Sequence, residues 1–300
     1  MLVGQRRPAV PPAAPGVTQP SGLGLSQVRR LLDAHGMSPS KALGQHFVVD
    51  PNTVERIARL ARVGQGDQVV EIGPGLGSLT LALVATGAQV TAIEIDRRLV
   101  AVLQEVLPAS VRLVCADASS LDFAAVLGEA PWVLVANLPY NVATPLVIRL
   151  LQRAPQILRM VVMVQREAGE RLAARPGGRA YGAVSVRVAY YATTQLLGRV
   201  SPQVFYPPPH VESVLVELER RERPAVDPAL VSFEQIDALV RAGFAGRRKM
   251  LRRSLAGLIG EAEFACAGVA PTARAEELSV LEWGKLAQCR RSRSNSRTPS

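Results

Sequence analysis

Gln68-Val69-Val70-Glu71-Ile72-Gly73-Pro74-Gly75-Leu76-Gly77 is the stretch on which the reading of the fold turns. A short apolar run ends at three closely spaced glycines. Residues 76–86 then read as a helix ended by Gly87. A buried strand that turns through glycines into a helix lets the backbone approach a ligand closely. Taken alone, the loop also suits a dinucleotide.

Outward from this loop, strand and helix alternate. Residues 89–95 read as a second strand and 97–107 as a helix. Residues 111–115, 132–136 and 160–164 read as a third, fourth and fifth strand. Such alternation predicts a mostly parallel sheet with helices on both faces, the Rossmann-like α/β class. Residues 195–200 and 213–218 predict an antiparallel pair that completes a seven-stranded sheet. Beyond Pro224 the periodicity is helical, over 233–242, 247–259 and 276–288, and predicts a small all-α C-terminal domain. The expected organisation is a disordered tail over 1–24, an α/β domain over 25–223, a helical domain over 224–289 and a basic disordered tail over 290–300.

Composition narrows the class. The chain has 300 residues, 48% of them hydrophobic, and a formal net charge of +10. An apolar content of that size allows a sizeable core, and the basic excess points to a polyanionic partner. No apolar run approaches the roughly 20 residues of a membrane helix, and the Pro- and Ala-rich start is not read as a signal peptide. Cys115, Cys266 and Cys289 are widely spaced, and His35, His46 and His210 are isolated. They suggest no disulfide framework and no metal site, hence a reducing, cytoplasmic setting.

Three acids follow three successive strands. Glu71 precedes the glycine loop, where a carboxylate would repel a pyrophosphate and favour a cofactor carrying an amine and a sulfonium. Glu94, 21 residues after Gly73, ends the second strand and suits the two ribose hydroxyls. Asp117, after the third strand, suits the cofactor's adenine amine. Helix capping or a turn is the plainer role for Glu71 and Asp117. With Gly73 and Gly75, these residues fit S-adenosylmethionine better than a dinucleotide.

Asn137-Leu138-Pro139-Tyr140 follows the fourth strand, and ligands of open parallel sheets bind beyond the strands' carboxyl ends. An adenine amine is a poor nucleophile because its lone pair is conjugated with the ring. The Asn137 side-chain oxygen and a backbone carbonyl near Leu138 or Pro139 can hold both N–H groups and turn the lone pair outward. Pro139 stiffens the turn. Tyr140 offers a face for the base and for developing positive charge. The segment Phe205-Tyr206-Pro207-Pro208-Pro209-His210-Val211-Glu212-Ser213 is extended and rigid. It is expected to hold Phe205, or Tyr206, against the other face of an unstacked base.

These motifs, with Leu43-Gly44-Gln45-His46-Phe47 and Arg247-Arg248-Lys249-Met250-Leu251-Arg252, give a chain that resembles the bacterial small-subunit (16S) ribosomal RNA adenine N6,N6-dimethyltransferases. The match runs from about Lys41 to Leu255. The resemblance implies S-adenosylmethionine as methyl donor and two adjacent adenosines near the 3′ end of 16S rRNA, in the immature small subunit, as acceptors. It implies a monomer that works in ribosome biogenesis. It places cofactor contacts at His46, Val48, Gly73, Glu94, Asp117 and Asn137. The family often has Asn-Phe-Leu where this chain has His46-Phe47-Val48, so a backbone contact at His46 survives better than a side-chain one. Arg247, Arg248, Lys249, Arg252 and Arg253 fall within two turns of an expected helix and suit RNA phosphates. The rival readings are a 23S rRNA adenine dimethyltransferase conferring antibiotic resistance, a non-catalytic assembly or transcription factor on the same fold, and a DNA adenine methyltransferase.

Overall fold

A computed structural model describes residues 22–40 and 43–295, with the backbone alone for 291–295. Among the described residues there are nine strands: β1 (Phe47–Val48), β2 (Gln68–Ile72), β3 (Gln89–Glu94), β4 (Arg112–Cys115), β5 (Trp132–Asn137), β6 (Ile157–Gln165), β7 (Ala192–Val200), β8 (Phe205–Tyr206) and β9 (Ser213–Arg220). Seven form one sheet in the order β4-β3-β2-β5-β6-β9-β7. The first five in that order run parallel, and β9 lies antiparallel between β6 and β7. The expected parallel sheet and its antiparallel closing pair are therefore both present. A short ribbon, β1 against β8, stands apart from the sheet, and nothing in the period of the sequence signalled it.

Burial explains why the central strands are almost wholly apolar. Along β5, Trp132, Leu134 and Ala136 enter one core with the helices Ala143–Arg153 and Ala183–Tyr191. Val135 faces the opposite core, with the helices Pro51–Ala61 and Ser78–Val84. In β6, Met160, Val162 and Val164 alternate with Val161 and Met163 in the same way. A strand covered on both faces has no place for polar alternation. Helix Pro51–Ala61 starts where Asp50 accepts from the Thr53 N–H and Pro51 needs no partner.

The topology creates the site. Sheet order runs outward from β2 on one side through β3 and β4, and from β5 on the other. The chain thus reverses direction of travel between β2 and β5, and a crevice opens beyond their carboxyl ends. The glycine loop leaves β2 there and the Asn137 tetrad leaves β5.

Several expectations need correction. Residues 22–24 were expected in the tail, yet Leu23 is buried and its N–H donates to Ser78 Oγ at 3.0 Å. Residues 1–21 lie outside the described residues. At the other end, residues 290–295 continue the helix Val280–Asn295 rather than forming a disordered tail; residues 296–300 lie outside the described part. The helix expected over 247–259 is only Leu251–Ser254. Gly246 ends the helix Phe233–Ala245, and a bridge between Met250 and Arg274 holds the chain extended before Leu251. Cys266 and Cys289 are bonded as a disulfide, against the expectation of none. Their spacing of 23 residues matches no framework pattern, but the helices Glu261–Ala267 and Val280–Asn295 pack together and bring the two Cα atoms to 6.1 Å. The cysteine argument for a reducing compartment therefore falls. The C-terminal helices also share a core with Tyr181, Val186 and Tyr190 of the preceding α/β part, so packing runs across the expected junction near Arg223. Among the described residues no helix is long and apolar enough to cross a membrane.

Arg220 closes the far side of the site's scaffold. Its guanidinium donates to the carbonyls of Leu150, Leu151, Ala154 and Ile157, which end the helix Ala143–Arg153 and begin β6. Replacement by alanine leaves half-buried carbonyls without that donor. Arg220→Ala is expected to lower unfolding free energy by about 2–3 kcal/mol, the scale of hydrogen bonds from a charged group, measured by urea denaturation.

Candidate active site

The crevice is a cavity of about 260 Å³ bounded by the loop 43–48, the glycine loop, the ends of β3 and β4, and the tetrad. His46, Val48, Glu71, Gly73, Gly75, Glu94, Asp117, Asn137, Leu138, Pro139 and Tyr140 all line it. Residues from five separated parts of the sequence thus meet in one place. Phe205 does not. It is 3% exposed and belongs to the core beneath the β1–β8 ribbon. Tyr206 points away as well, into the cluster with Leu23 and Val28, with the Arg29 guanidinium 5.2 Å from its ring centre. The two-residue period of β8 dictates this: Phe205 pairs with Val48 and Tyr206 with Phe47.

Backbone shape makes room beside the glycine loop. Gly75 has φ +60°, and a Cβ there would lie 3.0 Å from the Phe47 ring. At Gly73, φ +72°, the nearest atom to such a Cβ would be the Asn137 carbonyl oxygen at 3.9 Å. The loop therefore lets Phe47 close over one side while the other side faces the tetrad.

The three acids differ in state. Glu94 is 5% exposed; its Oε1 accepts from the Asp96 N–H at 2.9 Å and its Oε2 from the Gly75 N–H at 3.4 Å. Burial pushes its carboxyl up, and the backbone donors pull it back. Asp117 is exposed, and its Oδ1 accepts from the Ser119 N–H at 2.7 Å in a turn. Both residues line the cavity, and a carboxylate that accepts one or two hydrogen bonds has lone pairs to spare. Glu71 is different. It is 1% exposed, and its Oε2 accepts from the Thr80 hydroxyl at 2.6 Å. Burial, with a smaller contribution from nearby Glu94, pushes it up to about 8, against the Thr80 hydrogen bond. Burial therefore disfavours the charged form of Glu71 in the free protein.

The tetrad is held from several sides. The Leu138 N–H donates to the Met163 carbonyl at 3.1 Å, and the Pro139 carbonyl accepts from Val142 and Ala143. Asn137 Nδ2 donates to the His46 carbonyl at 3.1 Å. The amide is thereby oriented with its Oδ1 left as an acceptor. The loop carrying His46 is itself anchored: Gln45 Oε1 accepts from the Ser40 N–H, and Gln45 Nε2 donates to Asp96. The Tyr140 and Ser213 hydroxyls are 2.7 Å apart. The Gln45–Asp96, Thr80–Glu71 and Tyr140–Ser213 contacts had no signal in the sequence, since each depends on tertiary packing.

With the geometry in view, the comparisons decide the family. The ribosomal RNA adenine dimethylase family model matches residues 37–290. This chain is a member of that family. It is 46% identical over 275 residues to Ribosomal RNA small subunit methyltransferase A of Cutibacterium acnes, covering 88% of this chain and 92% of the relative. The protein of the same name from Thermobifida fusca is also 46% identical, over 88% of this chain and 95% of its own length. Among solved structures, 23S rRNA methyltransferase ErmE superposes with a TM-score of 0.65 at 27% identity, covering 81% of this chain and 98% of that one. A dimethyladenosine transferase from Plasmodium falciparum gives 0.66 at 25% identity, over 80% and 96%. The fold is that of the Rossmann-like rRNA methyltransferases, and the chain is an rRNA adenine methyltransferase.

Glu71 yields a test of the site's electrostatics. Its folded value lies above the unfolded one, so its contribution to stability is full below about pH 4.5 and is lost as pH rises to about 8. Glu71→Gln, which mimics the neutral acid, removes that dependence. Thermal unfolding from pH 5 to 8.5 is expected to show the wild type losing ground steadily to the variant. A gap independent of pH would mean that Glu71 is ionised throughout.

Proposed function

We propose that this enzyme methylates the N6 amines of two adjacent adenosines near the 3′ end of 16S rRNA, in the immature small subunit, in the cytoplasm and as a monomer. The observation that carries the reading is the oriented Asn137 amide at the mouth of a glycine-lined cavity. The donor set suits S-adenosylmethionine: buried Glu94 for paired hydroxyls, exposed Asp117 for an amine, and glycines that admit close backbone contact. When bound, S-adenosylmethionine supplies an electrophilic methyl carbon on a sulfonium.

The chain's own part is alignment. Asn137 Oδ1 accepts one N–H of the target amine. The Pro139 carbonyl is engaged within the turn, so the second acceptor is the Leu138 carbonyl. With both N–H groups held, the lone pair turns out of conjugation and toward the cofactor side. Tyr140 stacks on the base and spreads the positive charge that develops on nitrogen. Methylation makes that nitrogen acidic, so the proton leaves to water and no side chain has to remove it beforehand. Such positioning can account for roughly 7–11 kcal/mol of barrier lowering. A cation in the cavity beside Glu71 favours its ionised form against the cost of burial.

RNA contact outside the cavity falls to Arg248, Lys249, Arg252 and Arg253, all exposed. Arg247 is set apart: its Nε donates to Glu276 at 2.7 Å and its Nη2 to the Arg179 carbonyl at 2.8 Å. It is a brace between segments rather than a phosphate ligand.

The small-subunit reading, as against the large-subunit one, is supported by 46% identity to small-subunit enzymes beside 27% to ErmE. Labelled methyl transfer to small-subunit precursors and to 23S rRNA separates the two; label on 23S alone contradicts the proposal. Asn137→Ala is expected to lower turnover about 10²-fold or more, as loss of a positioned polar contact does, and wild-type kcat in that variant would remove the alignment role. Replacing Arg252 and Arg253 together by alanine is expected to weaken particle binding and to reduce the slope of log K against log salt by about 2. An unchanged slope places the RNA on another face.

A further inference from the structure

The proline segment was expected to present an aromatic ring, and its ring is buried elsewhere. It nevertheless touches the site twice. The Pro207 carbonyl accepts from His46 Nδ1 at 2.7 Å, and Ser213 meets the Tyr140 hydroxyl at 2.7 Å. His46 and Tyr140 both line the cavity, and they stack on each other with ring centres 5.7 Å apart and planes 25° from parallel. A base slid between two rings needs two contact distances, about 7 Å in all. No base fits between these two. His46 therefore covers one face of Tyr140, and a single face is left.

Both anchors are stiff. Ser213 has no exposed surface and begins β9, where it pairs with Gln165 of β6 and Val200 of β7. Its backbone cannot shift without the sheet. The His46 carbonyl holds the Asn137 amide while the His46 ring holds Tyr140, so one residue sets both the acceptor and the stacking plane.

We propose that residues 205–213 brace the site at two points, Ser213 directly and the Pro207 carbonyl through His46, so that Ser213 and His46 act as positioning residues that set the plane of Tyr140. The base then stacks on the one uncovered face of Tyr140. The brace acts on alignment and not on cofactor affinity, and it rests on the reading of Tyr140 as the stacking surface.

The test is single-turnover methyl transfer to small-subunit precursor particles, with S-adenosylmethionine affinity measured in parallel by calorimetry. Wild type, Tyr140→Phe, Ser213→Ala, the double variant, His46→Ala and Tyr140→Ala are compared. Tyr140→Phe and Ser213→Ala are each expected to slow transfer about five-fold, the scale of one net hydrogen bond, with the double variant no slower than either. Cofactor affinity stays within two-fold in both, by the same argument that the brace acts on alignment. A double variant slowed by the product of the two effects, about 25-fold, overturns the brace, as does a wild-type rate in Ser213→Ala. If Ser213→Ala does not fold, Tyr140→Phe decides alone: a wild-type rate overturns the proposal. His46→Ala is expected to slow transfer with affinity retained; weakened cofactor binding at an unchanged rate would make His46 a cofactor ligand and end its bracing role. A wild-type rate in Tyr140→Ala would instead remove the stacking surface itself, a failure of the parent reading that the other variants do not mimic.

Discussion

The hydrogen bond from Asn137 Nδ2 to the His46 carbonyl is the constraint on which the site depends. It joins two segments 91 residues apart in sequence and fixes the orientation of the amide, with Nδ2 on the His46 carbonyl. A primary amide that rotated freely would offer a donor as often as an acceptor. Held this way, one N–H is committed to the His46 carbonyl and Oδ1 is left as an acceptor. The loop that supplies the carbonyl is pinned through Gln45 to Asp96, and Asp96 in turn caps the helix Arg97–Val106. Acceptor geometry is thus coupled to the same strand end that carries Glu94.

The sheet makes that coupling possible. Because β2 and β5 are neighbours while the chain between them visits β3 and β4, their carboxyl ends are adjacent with no crossover covering them. A glycine loop on one and a short rigid turn on the other then face across a few ångströms. Arg220 at the far end of the helix Ala143–Arg153 holds the scaffold behind the turn. Catalysis by alignment needs such rigidity more than it needs a charged group.

The sequence made the strands and the cavity residues legible because both follow local rules. Apolar runs ending in glycine or in an acid mark doubly covered strands and their carboxyl ends, and Glu71, Gly73, Glu94, Asp117 and Asn137 lie at or within two positions of such an end, whereas His46 and Val48 come from a separate loop. What was not legible depends on side-chain direction or long-range packing. Phe205 looked like a site aromatic by its proline neighbours, but pairing of β8 with β1 turned it into the core. The Arg247 cluster looked helical by composition, yet Gly246 and the Met250–Arg274 bridge break the helix and leave Arg247 paired with Glu276. The burial of Glu71 was not legible because sequence position carries no information about desolvation.

The central claim is tested most directly by a crystal structure of the enzyme with a non-reactive S-adenosylmethionine analogue and an adenosine. The account predicts Asn137 Oδ1 within about 3 Å of the base's N6, with Nδ2 still on the His46 carbonyl and the base on the face of Tyr140 away from His46. An adenine bound outside the cavity, or an Asn137 amide turned to donate toward N6, would contradict it.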